Sequence, residues 1–211
     1  MLELYDYFRS SASYRVRIVL SYKNLKYSKK EVHLVNNGGE QHAQAYKKVN
    51  PQGLIPSLVD LENNICLTQS LAIIEYLEEA YPEPSILPKD LVLKSQARAL
   101  AYIVSSDTHP LNNLRVLNYL KDNFKVSEAD RNKWYHHWLG LGFDSIEQQI
   151  QHYKHLGNFC LGEKFTLADV CLIPQVFNAL RFELPMEKYP RIMQIYTQCL
   201  QLPYVDAAKP E

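Results

Sequence analysis

The stretch YPEPSILPKD, Tyr81 to Asp90, carries Pro82, Pro84 and Pro88 within seven residues. Proline fixes φ, has no N–H to donate and clashes with the preceding helical turn, so prolines this dense end a helix and stiffen the chain as a linker. No continuous element can run through this stretch. A chain of 211 residues is long enough for two small domains on either side of it. The expected division is residues 1–83 and residues 88–211.

The two sides have different periodicity. Before the prolines, LELYDYF alternates as a short strand, and from Ser13 the residues Val16, Val19, Leu20 and Lys23 recur at helical spacing. Glu31 to Val35 alternates again and predicts a second strand, which Asn36-Asn37-Gly38-Gly39 breaks. A polar, weakly helical piece runs to Lys48. Ser57–Leu61 and Ile65–Leu67, separated by Glu62-Asn63-Asn64, predict a hairpin. From Ser70, Leu71, Ile74 and Leu77 face one way while Glu75, Glu78 and Glu79 face the other. The order β-α-β-α-β-β-α is that of a thioredoxin-like layer of helices on a small sheet. Beyond the prolines the period is helical throughout, with breaks near Val126, Gly157 and Pro185, and with Pro110 expected to kink the first helix. The expected fold class is an α/β thioredoxin-like N-terminal domain followed by an all-α C-terminal domain.

Lys+Arg and Asp+Glu are both 23, so the formal charge balances at zero, against the basic excess of a nucleic-acid binder. No apolar run reaches the eighteen or so residues that span a membrane. The start, MLELYDYF, lacks the basic flank and apolar core of a signal peptide. Cys66, Cys160, Cys171 and Cys199 form no CxxC and are expected to be reduced, buried thiols. Neither nucleic acid nor membrane is an expected partner, and the expected location is the cytoplasm.

Three stretches are suited to a ligand. In FRSSASYRVRIVL, Phe8 to Leu20, a helix starting at Ser11 to Ser13 leaves its first N–H groups without intrahelical partners, and those groups with the macrodipole favour an anion. A hydroxyl at Ser10 or Ser11 adds one directed donor. Together they can hold a thiolate. A free thiol has a pKa of about 8.5, and lowering it by about two units requires roughly 2.7 kcal/mol. The helix end supplies about 0.3–1 kcal/mol and a hydrogen bond to a charged group about 1.5–3 kcal/mol, so the two together suffice. No cysteine of the chain lies in this stretch, so the thiol would come from a ligand. Taken alone, these serines are better read as a helix cap. In Asn50-Pro51-Gln52-Gly53-Leu54-Ile55-Pro56, the proline before a strand is a candidate cis bond, and Ile55 can offer its N–H and C=O to a peptide-like ligand; an ordinary strand-entry proline is the other reading. In Leu67-Thr68-Gln69-Ser70, another helix start is suited to a carboxylate, or to a cap.

Taken jointly and in order, FRSSASYRVRIVL, NPQGLIP and TQSLAIIEYLEE resemble the zeta class of glutathione transferases. HPLNNLRVLNYL, FTLADVCLIPQVFNALRF and KYPRI extend the resemblance over almost the whole chain. It implies a homodimer that uses glutathione as cofactor. Ser10 matches the hydroxyl that stabilises the thiolate, with Ser11 beside it. Ile55 matches the backbone partner of the cysteinyl residue, Gln69 and Ser70 match the binders of the γ-glutamyl end, and Gln41 matches a further glutathione contact. His109, Asn113 and Arg115 match residues that line the cleft from the helical domain. Arg181 resembles the family's anion-recognising arginine near the second substrate, and Arg181 first, with Arg9 as a further candidate, is expected to anchor the carboxylates of a small unsaturated dicarboxylate. The implied activity is glutathione-dependent cis–trans isomerisation of maleylacetoacetate to fumarylacetoacetate, in tyrosine and phenylalanine breakdown. Isomerisation of maleylpyruvate, general conjugation or dehalogenation of halo acids, and a non-catalytic glutathione-binding module are the alternatives. The family's usual Ser-Ser-Cys-Ser-Trp is here Ser10-Ser11-Ala12-Ser13-Tyr14: the hydroxyls stay and the thiol is gone.

The remaining patterns read as structure. Thr166-Leu167-Ala168-Asp169 is a capping box. His136 and His137 are adjacent and point apart; His152 and His155 are three apart but have no third ligand nearby, so no metal is expected. Most of the 15 tyrosines are expected in cores and interfaces. Arg15 and Arg17 are expected to flank the site or pair across a dimer, with at least one solvated.

Overall fold

The computed structural model describes residues 1–153 and 157–210. The chain divides into two compact units: residues 1–85 together with 202–211, and residues 86–201. Residues 202–210, assigned by the sequence to the helical half, thus pack with the first unit.

The first unit is a four-stranded sheet in the order β2-β1-β3-β4, with β1 Leu2–Asp6, β2 Tyr27–Glu31, β3 Ser57–Asp60 and β4 Ile65–Thr68. β1 and β2 are parallel, and the other neighbours are antiparallel. The strand expected at Glu31–Val35 lies four residues earlier. Parallel pairing with β1 fixes it, from Leu2 opposite Tyr27 to Asp6 opposite Glu31. As an edge strand with Lys29, Lys30 and Glu31 exposed, it has no alternating apolar face to betray it. Helices α1 (Ser11–Tyr22), α2 (Gln44–Lys47) and α3 (Ser70–Ala80) follow β1, β2 and β4 respectively. Leu4, Val16, Val19, Leu20, Leu58, Ile73, Ile74 and Leu77 are buried at 1% exposure or less and form the core between helices and sheet.

Arg15 and Arg17 both lie inside this unit, at 2% and 6% exposure, so the expectation of a solvated arginine fails. Arg17 makes a 2.6 Å ion pair with Asp6, and it also donates to the carbonyls of Phe8 and of Ala208. Ala208 follows the short helix α9, Pro203–Asp206, and Tyr204 of that helix packs edge-on against Tyr22 of α1. A buried guanidinium needs such a shell, because an uncompensated charge is expensive in the interior. Lys23 does the same for the proline stretch. Its ammonium donates to the carbonyls of Tyr81 and Pro84 and pairs with Glu78.

The second unit is helical: α4 Leu91–Tyr102, α5 Leu114–Phe124, α6 Glu128–Tyr153, α7 Leu167–Arg181 and α8 Pro190–Cys199. Pro110 does not kink a continuous helix. After α4 the chain widens into a π-helical segment, Ile103–Thr108, and turns over residues 109–112. A proline cannot donate the bond that would carry a helix through this point. Gly142 of α6 lets the segment approach, since a Cβ there would stand 2.2 Å from Thr108 Oγ1. The capping box forms as the sequence predicts. Asp169, fully buried, accepts from the backbone N–H groups of Cys160 and Thr166 and from the Thr166 hydroxyl. Cys160, Cys171 and Cys199 are buried thiols; Cys66, on edge strand β4, is exposed, against expectation. His155 lies outside the described residues.

Candidate functional site

Sheet register gathers the ligand-ready stretches. Tyr5 stands opposite Ser57, Ser57 opposite Thr68, and Asp6 opposite Glu31. The ends of β1, β2 and β4 and the start of β3 therefore share one end of the sheet. The segments carrying Ser10, Gln41, Ile55 and Gln69-Ser70 all begin or finish there.

Ser10 is the N-cap of α1. Its Oγ accepts the N–H of Ser13 at 3.2 Å, and its carbonyl accepts from Tyr14. A hydroxyl has two lone pairs and one proton, so a cap that uses a lone pair leaves the proton to donate. Capping and ligand binding, alternatives in the sequence, are compatible in one side chain. Ser10 is half-buried while Ser11 is 5% exposed, so of the pair it is Ser10 that faces a ligand's approach. Ala12 follows on the first turn, and Tyr14 fills the core at 1% exposure. Arg9 is exposed, with its guanidinium 5.0 Å from the centre of the Phe8 ring.

The Ile55–Pro56 peptide is cis. Around it, Leu54 O accepts from the Tyr46 hydroxyl at 2.6 Å and from Asn50 Nδ2 at 2.7 Å, and Tyr46 also bonds Ser57 Oγ. Burial pushes the Tyr46 phenol above its ordinary value, so it stays protonated to make these bonds. The backbone N–H and C=O of Ile55 take no hydrogen bond among the described residues. An amide flanked by a fixed turn and left open in this way is suited to pairing with an extended peptide.

Gln41 reaches the same sheet end from the loop after β2. It is 7% exposed; its Nε2 faces Leu34 O at 3.5 Å, and its Oε1 is buried with no hydrogen-bond partner among the described residues. Gly53, at φ +62°, lets the two loops meet, since a Cβ there would stand 2.9 Å from Gln41 O. Gln69 is the N-cap of α3 at φ +69°, a left-handed conformation that costs a non-glycine residue about 1–3 kcal/mol. Its Nε2 donates to Gln52 Oε1 at 2.8 Å. Ser70, first residue of α3 and 7% exposed, accepts from Arg15 Nη1 at 3.2 Å. The sequence placed Arg15 only as flanking the site or pairing across a dimer, without its bond to Ser70, and it gave Gln52 no role. Arg15 follows Ser11 by four residues and so shares its buried helix face, a signal that was available.

In the second unit, His109 closes the π segment with its N–H on Val104 O. Asn113 caps α5 by accepting from Arg115 N, and Arg115 is exposed. Arg181, in the last turn of α7, is exposed and lies 5.0 Å from the Phe182 ring centre. Trp134–His136 of α6 joins these two places. Trp134 Nε1 donates to Leu111 O, Asn112 Nδ2 donates to Tyr135 O, the Tyr135 and Phe182 rings stack at 4.0 Å, and His136 Nε2 bonds Phe182 O. The Tyr135 phenol is raised by burial, and the positive charge of Arg181 works against that rise. Among the described residues no group of three His, Cys, Asp or Glu side chains is placed to hold a metal ion, and no helix is long and apolar enough to cross a membrane.

Residues 4–85 match the family described as glutathione S-transferase, N-terminal domain. The "Probable maleylacetoacetate isomerase" of Vibrio cholerae is 47% identical, across 100% of this chain and 96% of that one. A bacterial zeta-class maleylpyruvate isomerase solved in its holo form superposes with a TM-score of 0.94 at 40% identity, covering 99% of this chain and 96% of the other. The maleylacetoacetate isomerase of Methylobacterium extorquens AM1, solved with malonate and glutathione bound, gives 0.94 at 33% identity, again covering 99% and 96%.

Proposed function

The chain belongs to the zeta class of the glutathione S-transferase family, and from that premise we propose that it catalyses glutathione-dependent cis–trans isomerisation of a small unsaturated dicarboxylate. Maleylacetoacetate, converted to fumarylacetoacetate, is the leading substrate. Maleylpyruvate is the second reading, favoured by the likeness to the maleylpyruvate isomerase.

The residues fit glutathione by their donor and acceptor set. Ser10 has a hydroxyl proton to give at a helix start, Ile55 an open amide, Gln41 an unpartnered buried acceptor, and Gln69 and Ser70 a second helix start for a carboxylate. Bound there, glutathione would supply a thiolate nucleophile for reversible addition and elimination at the cis double bond. Ser10 is assigned the catalytic part: its O–H and the first-turn N–H groups stabilise a negative sulfur both before addition and after elimination. Ser11, being buried, supports that turn. Arg9 and Arg181 are assigned to the substrate carboxylates, which their exposed guanidinium groups suit. His109, Asn113 and Arg115 are assigned further contacts by family resemblance. A bound malonate in the Methylobacterium relative supports a dicarboxylate substrate. The wider reading is a cytoplasmic homodimer in aromatic amino-acid breakdown.

The single observation that carries this proposal is Ser10, capped on one side and free to donate on the other. The test is turnover of maleylacetoacetate and of maleylpyruvate with and without glutathione. Trans product should form only with glutathione; equal rates in its absence reject the mechanism.

A further inference from the structure

Arg15 is among the largest fully buried side chains of the chain, at 2% exposure, yet it carries a full charge. It leaves α1 one turn beyond the Ser10 cap and reaches α3, where its Nη1 donates to Ser70 Oγ at 3.2 Å. Guanidinium has donors and no acceptor, so Ser70 cannot donate back to it. Arg15 fills one lone pair of the hydroxyl, and the Ser70 proton must be directed elsewhere. A donor that is itself hydrogen-bonded to a cation is polarised and donates more strongly. Ser70 is also the first residue of an eleven-residue helix, whose leading N–H groups favour an anion on that side. Stability alone is a weak reason to keep this arrangement, since apolar residues of similar volume commonly replace buried charges at little cost.

We propose that Arg15 is a positioning residue for carboxylate recognition. It holds the Ser70 hydroxyl as a donor turned toward an incoming carboxylate, which in glutathione is the α-carboxylate of the γ-glutamyl residue. This rests on the reading of glutathione as ligand. Because Arg15 belongs to the helix that Ser10 caps, one side chain ties the thiol-binding helix start to the carboxylate-binding one. It thereby sets the spacing that a tripeptide must match, and it makes the site selective for a charged carboxylate over a neutral isostere.

The test is calorimetric titration with glutathione and with the analogue in which that α-carboxylate is a carboxamide. Wild type should prefer glutathione by about tenfold or more, as expected for hydrogen bonds to a charged group. Arg15→Met should bring the two affinities to within about threefold, and Arg15→Lys, which keeps charge and donor on a different geometry, should fall between. Ser70→Ala should collapse the ratio to the same low value, and adding Arg15→Met to it should change the ratio no further. A folded Arg15→Met protein with the wild-type ratio overturns the proposal. Should Arg15→Met fail to fold, Arg15→Lys decides: it must lower the ratio in the Ser70 background and leave it unchanged with Ala at position 70, and equal weakening of both ligands overturns the proposal. If wild type binds neither compound, the ligand reading fails first and the role of Arg15 falls with it.

Discussion

Asp60, the last residue of β3, accepts the hydroxyl of Tyr76 from the middle of α3 at 2.6 Å. The same carboxylate accepts from Asn63 Nδ2 and from the N–H groups of Glu62 and Asn63, so it closes the β3–β4 turn and fastens it to the helix that begins at Gln69-Ser70. These bonds, the Tyr76 hydroxyl first, hold its pKa at about 2. A depressed carboxyl contributes stability that is complete above its unfolded value of about 3.9 and is lost as pH falls toward the folded one. Thermal unfolding of wild type should therefore weaken between about pH 4 and pH 2 more steeply than that of Asp60→Asn. Parallel curves would show that Asp60 does not carry the dependence.

Ser10→Ala removes both a cap and a donor. The cap is worth about 1 kcal/mol of stability. The donor, facing a charged sulfur, is worth about 1.5–3 kcal/mol, or roughly 10- to 150-fold in kcat/KM for isomerisation. Ser11→Ala, at a buried position, should lose much less. Ultraviolet titration of the bound glutathione thiol separates the effects: its pKa should rise in Ser10→Ala alone. Equal losses at the two serines would contradict the assignment.

Activity should survive thiol alkylation. Ala12 stands where the family's usual pattern has cysteine, and of the chain's own thiols Cys66 is exposed while Cys160, Cys171 and Cys199 are buried. N-Ethylmaleimide, removed before glutathione is added, should leave one adduct at Cys66 by mass spectrometry and full turnover. Ala12→Cys should confer sensitivity. Inactivation of the unmodified sequence in step with adduct formation would refute this.

Asp169→Ala should destabilise the helical unit by about 2–4 kcal/mol, because it strands the N–H groups of Cys160 and Thr166 in the interior. Asp169→Asn keeps an acceptor and should cost less. Urea midpoints followed by circular dichroism measure both. A midpoint for the Ala variant within error of wild type would remove the capping box from the account.

Period and turn chemistry made much of this architecture readable. α3, with its clean apolar stripe, starts at the expected Ser70, and the hairpin Ser57–Asp60 with Ile65–Thr68 lies within a residue of its expected bounds. β2 was not readable, because an edge strand held by backbone pairing to β1 needs no apolar alternation. Pro110 announced a disruption, but whether a helix kinks or stops depends on the room that Gly142 leaves for a wider turn. The serine, isoleucine and glutamine positions were visible as separate stretches. Register, a three-dimensional property, is what sets their segments at one end of the sheet. Arg15 was legible as a residue flanking the site, but its burial and its bond to Ser70 were not, because charge in sequence gives no sign of an inward contact.

Residues 202–210 belong to the first unit, and Ala208 closes the shell of Arg17. During synthesis, residues 1–85 are made more than a hundred residues before that carbonyl exists. Until residue 208 has been added, the nascent N-terminal unit holds a buried-to-be cation with one partner missing, so its last lock closes long after its sheet and helices have been made.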